Sequence, residues 1–281
     1  MNQTCIKSIL YIVNSLMSVT RIAVLSNAGG AAKTTLSTHL GYGLSIQGKS
    51  VAMMDLDPQG SLSLFTGLPR PKGDAGTLSQ VLKDDFTGDW CLQNVWEDKL
   101  KGKAQIVQSN TSLVRTANEL VFHERGAYAL SDRLNDYPLP HSVVIFDCPA
   151  TLGPLPLAAL AASTHILIPC ELEPKSISAS AALLTWISEN NRRLRLIPPP
   201  QIIGVVPSQY DDRIAIHRNV NQDLIPVVEK MGLRCFPPIR YSSEFKNASA
   251  RGLPLQLHRP KHPALVDIHR IVEAVAEVVD G

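Results

Sequence analysis

Hydrophobic positions along the chain fall into short apolar runs that alternate with longer segments of helical spacing. Such alternation predicts strands joined by crossover helices, hence a parallel sheet covered on both faces. Arg21-Ile22-Ala23-Val24-Leu25 reads as a buried strand, and Lys33-Thr34-Thr35 opens a helix that runs to about Gln47. Ser50 to Asp55 is a second buried strand, and Ser142 to Asp147 is an apolar, β-branched run closed by an aspartate. Between them, Ala104 to Gln108 and Ser112 to Val114 read as short strands and Glu124 to Asn135 as a helix. Further on, His165 to Cys170, Ser176 to Asn190 and Ile202 to Val206 repeat strand, helix and strand. A helix from about Ile214 to Met231, a short strand at Arg234 to Phe236 and a helix from about Pro263 to Val279 follow. The expected fold class is α/β, a doubly wound, mostly parallel sheet in one domain over residues 21–281. Pro69 to Lys103, with Trp90 and Trp96, has a mixed pattern and is expected to pack over one sheet edge.

Composition narrows the class. Of 281 residues, 44% are hydrophobic, enough for one large core. The formal net charge of +2 gives the whole chain no strongly basic character, so contact with nucleic acid would require a local patch. Five cysteines, with no Cys-x-x-Cys pair, point to a reduced cytoplasmic setting and away from a disulfide framework or a cysteine metal site. Residues 1–20 precede the domain as an N-terminal extension, read either as disordered or as a result of start-codon choice. Ile6 to Met17, with Lys7 as its single charge and an interruption at Asn14 and Ser15, lacks the cleavage signal of a secretory peptide, and no apolar run elsewhere is long enough to span a bilayer.

The chemistry concentrates after the first strand. Ala28-Gly29-Gly30-Ala31-Ala32-Lys33-Thr34-Thr35 places a Gly-rich turn at a helix mouth. Successive backbone N–H groups and the positive helix end there favour bound phosphate. Lys33 would reach the β- and γ-phosphates and the Thr34 hydroxyl would ligate Mg²⁺. An ordinary βα turn would need the glycines but not the Lys-Thr pair. Ala32 stands where the phosphate-loop pattern has its second glycine, and its Cβ is expected to narrow the cradle or slow hydrolysis. Asp55 and Asp57 close the second strand, at the edge where open α/β sheets bind ligands. Asp147 closes the Val143 strand. By itself it reads as a helix cap or turn residue, but beside a phosphate loop it would act through water on Mg²⁺.

These segments, taken in order, resemble the ParA/MinD family of deviant-Walker ATPases from Arg21 to the C-terminus. The likeness rests on Gly29-Gly30-x-x-Lys33-Thr34-Thr35, Asp55-Leu56-Asp57-Pro58-Gln59-Gly60 and Val144-Ile145-Phe146-Asp147-Cys148-Pro149. Asp-x-Asp-Pro-Gln, Gly204-Val205-Val206-Pro207 with Tyr210-Asp211 and Arg213, and Ile239-Arg240 with Ser243, Phe245 and Gly252-Leu253-Pro254 resemble the ParA branch. The resemblance implies a slow, Mg²⁺-dependent ATPase of P-loop fold, binding ATP or ADP and forming a homodimer with two nucleotides between the protomers. It assigns Lys33 and the loop from Ala28 to Thr35 to the phosphates, Asp57 to the attacking water, and Thr34 and Asp147 to magnesium. Pro207 and Pro238 are carried over as nucleotide contacts. For Asp55 the reading leans to a structural partner for Lys33 or the loop backbone.

Family members carry a signature lysine directly before the Gly-Gly pair, and here that residue is Ala28. A methyl group cannot neutralise phosphate, so another cation is required or the dimer is weaker. Lys175, after the strand His165 to Cys170, is the candidate, against a reading as a solvated lysine. A ParA-like chain of this kind is similar to the McdA-type branch that distributes carboxysomes over the nucleoid. That implies non-specific DNA and an adaptor of the McdB or ParB kind as partners, with plasmid or chromosome partition as the alternative. Arg240, Lys246, Arg251, Arg259, Lys261 and Arg270 form the expected DNA-binding cluster, against a reading as an ordinary solvated face. A MinD-like membrane role would need a basic amphipathic C-terminal helix, whereas Pro263 to Gly281 holds Arg270 as its one Lys or Arg. His258, His262 and Asp267 lack the cysteine partners that would suggest zinc.

Overall fold

The computed structural model describes residues 19–281, and the expected extension falls outside them except for its last two residues. The described residues hold seven strands, six of them from the apolar runs and β3 from a polar, exposed pair: β1 (Thr20–Val24), β2 (Ser50–Asp55), β3 (Gln93–Asn94), β4 (Lys103–Val107), β5 (Val143–Asp147), β6 (His165–Glu171) and β7 (Gln201–Ser208). They line up in the order β3-β4-β2-β5-β1-β6-β7, parallel throughout except for the antiparallel edge strand β3. Alternate side chains of each strand feed opposite faces, as the two-residue period dictates. Ala23, Met54, Val144 and Phe146 enter one core layer, and Ile22, Met53, Val143 and Ile145 the other.

The main crossover helices are α1 (Lys33–Ile46), α2 (Ser61–Phe65), α3 (Leu78–Val81), α4 (Leu113–Phe122), α5 (Ala129–Asp136), α6 (Pro154–Ala162), α7 (Pro174–Arg193) and α8 (Ala215–Lys230). The C-terminal segment adds α9 (Ser243–Ala250), α10 (Leu255–His258) and α11 (Leu265–Asp280). Helix α1 lies close on the sheet and on α11: a Cβ on Gly41 would stand 2.3 Å from the Met53 sulfur, and one on Gly43 would stand 2.6 Å from Val272. Both glycines are therefore packing requirements.

Three local expectations are corrected. Ser112 to Val114 begins α4 and is not a strand, because Leu113, Thr116 and Leu120 recur at helical spacing and are buried, while Asn110 Oδ1 accepts from the Ser112 amide at 2.9 Å. The helix expected from Glu124 starts at Ala129, after a tight turn at Gly126–Tyr128. Gly126 lies so close to the end of α4 that an added Cβ would be 1.8 Å from the Leu120 carbonyl oxygen. Arg234 to Phe236 makes a single parallel bridge, Cys235 to Val205, instead of a strand. The segment Pro69–Lys103 supplies β3 and the buried Trp90 at the sheet edge, in line with its expected place.

Candidate active site

Strand order explains why segments far apart in sequence converge. With β5 between β1 and β2, Val24, Asp147 and Asp55 stand in register across three neighbouring strands. Their C-terminal tips thus deliver the glycine-rich loop, Asp147 and the Asp55–Asp57 turn to one sheet edge, the place where open α/β sheets bind ligands.

The loop leads into α1 through Ala32, which takes φ 63° and ψ 29° and makes no side-chain cap. This left-handed conformation suits glycine, so an alanine there carries a strain on the order of 1 kcal/mol. The first turn of α1 contains no acidic residue, and its leading N–H groups have no intrahelical partner. Lys33 is buried at 8% exposure, and its ammonium donates to the Ala28 carbonyl oxygen at 3.0 Å. Burial lowers its pKa, an effect opposed by the Asp147 carboxylate.

Asp147 is fully buried and accepts from the Thr34 hydroxyl at 2.7 Å and the Ser37 hydroxyl at 2.8 Å. Burial raises its pKa to about 6 even though both hydroxyls and Lys33 favour its charged form. Threonine and carboxylate are thus preassembled beside the lysine. Ser37, one helical turn after Thr34, was not singled out in the sequence. Its spacing on the Thr34 face of α1 was the available signal, but the strand opposite it was not apparent.

Asp55 departs from expectation. Its carboxylate bonds neither Lys33 nor the phosphate loop but accepts from the backbone N–H groups of Asp57 and Leu62, both at 3.1 Å. It is an internal clamp for the turn that carries Asp57. Burial, with the nearby Asp147, drives its pKa well above the usual carboxylate range. A second clamp is the buried Ser109, whose hydroxyl donates to the Asp57 carbonyl oxygen at 2.5 Å. The Asp57 side chain is itself half-buried, accepts from the Gln59 amide at 2.9 Å and faces the cavity.

That cavity measures about 570 Å³ and is lined by the loop from Gly29 to Thr35, Asp57, Phe65 and the stretch Ile239–Ser242 with Phe245 and Lys246. Unpartnered amides, a buried ammonium and a hydroxyl held by a carboxylate fit a polyphosphate and a hard divalent cation. The aromatic wall of Phe65, Tyr241 and Phe245 fits a planar ring.

Other candidates lie elsewhere. Pro207 and Pro238 are not among the lining residues, although their neighbours Ser208 and Ile239 are. Lys175 is exposed and pairs with Glu173 at 2.8 Å. Arg240 is held by the buried Asp267 through contacts of 2.6 and 3.0 Å, and Arg259 by Glu244 at 3.1 Å. Lys246, Arg251, Lys261 and Arg270 are exposed. His258 approaches Glu244 at 3.3 Å and His262 bonds Ser242, so neither shares a site with Asp267.

Comparison with known proteins gives the same picture. Residues 19–196 match the family described as an AAA domain (AAA_31). The chromosome partitioning protein ParA of Myxococcus xanthus is 27% identical over 208 residues, covering 74% of this chain and 71% of that one. The maintenance of carboxysome distribution protein A of Synechococcus elongatus is 26% identical over 236 residues, covering 83% and 90%. A structure described as cobyrinic acid a,c-diamide synthase from Mycobacterium smegmatis, with an ATP analogue and magnesium, superposes with TM-score 0.76 at 28% identity, covering 92% of this chain and 94% of that one. No helix among the described residues is long and apolar enough to cross a membrane. With its domain match, these relatives and a phosphate loop flanked by the two strand-end carboxylate motifs, the chain belongs to the ParA/MinD family of deviant-Walker ATPases.

Proposed function

We propose that the chain is a positioning ATPase that dimerises around ATP, binds nucleoid DNA without sequence preference, and is released when an adaptor stimulates hydrolysis. The observation that carries this reading is a shared wall. One side of the cavity is the phosphate loop, and the other includes Lys246 of α9, the helix that leads directly into Arg251. A nucleotide seated between them would bear on both the loop and the basic segment.

In this reading Lys33 and the loop amides bind the phosphates, and Thr34 with Asp147 holds the magnesium site. Magnesium supplies neutralisation of phosphate charge. Asp57 orients the attacking water, and its clamps at Asp55 and Ser109 keep the carboxylate in place. Lys175 replaces the missing signature lysine across the dimer. Arg251, Lys261, Arg270 and Lys246 supply phosphate contacts on DNA, with Arg240 and Arg259 oriented by their acidic partners.

The carboxysome is the proposed cargo, supported by the Ala28 substitution and by similarity to the carboxysome-distribution protein. Similarity to ParA favours chromosome or plasmid partition as the second reading. A membrane-bound role has less support, because Ile268, Ile271, Val272 and Val275 commit the apolar face of α11 to the core.

Mobility-shift titrations of DNA with Mg-ATP, Mg-ADP and no nucleotide test the proposal. Binding that requires ATP supports it, whereas equally strong binding with ADP or without nucleotide contradicts it. A purified centromere-binding protein or a carboxysome adaptor, whichever stimulates hydrolysis, separates the two cargo readings.

A further inference from the structure

The last residue of β7 and the one after it, Ser208 and Gln209, belong to none of the motifs above, yet both line the phosphate cavity. Ser208 is buried at 1% exposure, and its hydroxyl lies 3.2 Å from the Ala31 carbonyl oxygen and 3.3 Å from that of Cys170. Gln209 has φ 57°, a left-handed conformation uncommon for residues other than glycine. Its side-chain nitrogen donates to the Gly30 carbonyl oxygen and, at 3.1 Å, to Glu171 Oε1. Both partners are acceptors, so only the NH₂ end of the carboxamide can serve, and its two hydrogens are both used. Gly30 is confined from the same side, since an added Cβ would stand 3.1 Å from Glu171 Oε2.

Two consecutive loop carbonyls are therefore tied to the end of β7, Gly30 by Gln209 and Ala31 by Ser208, whose single hydroxyl hydrogen is shared with the Cys170 carbonyl oxygen. In a trans peptide the C=O and the following N–H point in opposite directions. Tying the Gly30 and Ala31 oxygens to β7 turns the N–H groups of Ala31 and Ala32 away from it, and neither has a backbone partner among the described residues. We infer that Ser208 and Gln209 form a clasp that fixes two peptide planes of the phosphate loop, making them positioning residues for the nucleotide's β- and γ-phosphates. This inference rests on the nucleotide reading above. The clasp also accounts for a loop that keeps its shape with alanine at position 32, where the local backbone alone favours glycine. The left-handed backbone at Gln209 points its side chain at the loop, and replacement by glycine would ease that conformation while removing the carboxamide.

The test uses the full chain and measures affinity for Mg-ATP, Mg-ADP and, by competition, AMP, which lacks the distal phosphates. Gln209→Leu and Ser208→Ala are expected to weaken ATP and ADP about tenfold while AMP changes less than about twofold. Gln209→Gly is expected to weaken ATP as Gln209→Leu does, despite its relaxed backbone. Ser208→Thr, which keeps the hydroxyl, restores wild-type affinity. Retained AMP affinity shows that each variant is folded at the site. Parallel losses for ATP and AMP, or wild-type ATP affinity in Gln209→Leu and Ser208→Ala, overturn the clasp while leaving the nucleotide reading in place. A wild-type chain that binds neither ATP nor ADP overturns both.

Discussion

The phosphate hollow and the basic C-terminal segment handle charge in opposite ways. In the hollow, Lys33, Asp55 and Asp147 are buried, and each is hydrogen-bonded to a group on a loop or helix that follows β1 or β2: Lys33 to Ala28, Asp147 to Thr34 and Ser37, Asp55 to Asp57 and Leu62. Removing one partner leaves another polar group unsatisfied in a poorly solvated place, which costs more than the bond itself contributes. In the segment from Arg240 to Arg270 the cations are mostly exposed, and the ion pairs there have one face in water. Exposed charges act additively, respond to salt and contribute little to stability. The hollow is thus built for specificity of geometry and the segment for summed attraction, so substitutions in the two regions are expected to differ in size and in kind.

The largest contrast is expected from Asp57→Ala. If Asp57 orients the attacking water as proposed, its loss should reduce hydrolysis by about 100-fold or more while ATP binding, and the proposed ATP-dependent dimer, persist. A variant that still hydrolyses ATP at the wild-type rate would break the role assigned to this residue; single-turnover kinetics and light scattering provide the readouts.

Next in size is an effect of pH at the joint between the regions. His39 is buried in α1, with Nδ1 against the Thr35 carbonyl oxygen at 2.5 Å and Nε2 accepting from the Leu255 amide at 3.0 Å. Both ring nitrogens are committed to a neutral imidazole, and burial lowers its pKa from 6.5 to about 4. In the unfolded chain the ring protonates near 6.5, so between these values the unfolded state binds more protons. The stability associated with His39 is therefore complete above that range and is lost as pH falls toward 4, by up to about 3 kcal/mol. Denaturant titrations from pH 7 to 4 should show a steeper decline for the wild type than for His39→Gln. Parallel curves would mean that the ring does not join α1 to α10 in neutral form.

The basic segment should respond more gradually. Replacing Lys246, Arg251 and Lys261 by alanine is expected to leave ATP binding unchanged for the last two and to reduce the salt slope of DNA binding by about 0.9 for each phosphate no longer neutralised. An unchanged slope would return these residues to an ordinary solvated surface.

The smallest effect concerns the loop backbone. Ala32→Gly should raise unfolding stability by about 1 kcal/mol, because glycine adopts φ 63° without Cβ strain. A loss of stability on thermal or denaturant unfolding would show that the methyl group packs favourably there.

How far the sequence foretold this arrangement depended on where each residue's partners lie. Lys33 and Thr34 were legible from the Gly-rich turn at a helix mouth; Asp147, which alone reads as a cap or turn residue, was legible only because its strand follows a phosphate loop in the order that the ParA/MinD resemblance implies. Asp57 was legible from its motif. The partners of Asp55 were not, since Asp57 N and Leu62 N come within reach only through the turn that the same carboxylate organises. Ser37, Ser109, Ser208 and Gln209 were missed for a related reason: a hydroxyl or amide acquires a function from the carbonyl or carboxylate opposite it, and strand order decides which one that is. The misread strand at Ser112 to Val114 shows the limit of short windows, because Thr116 and Leu120 are needed before helical spacing becomes visible.

The central claim is that the hollow at the mouth of α1 grips a triphosphate through Lys33. Calorimetric titration of Mg-ATP into the wild type and Lys33→Ala tests it most directly. Saturable binding is expected for the wild type, with a loss of at least about 100-fold in the variant, from removal of a charge-assisted hydrogen bond in a buried site. Equal affinity in the two proteins would contradict it.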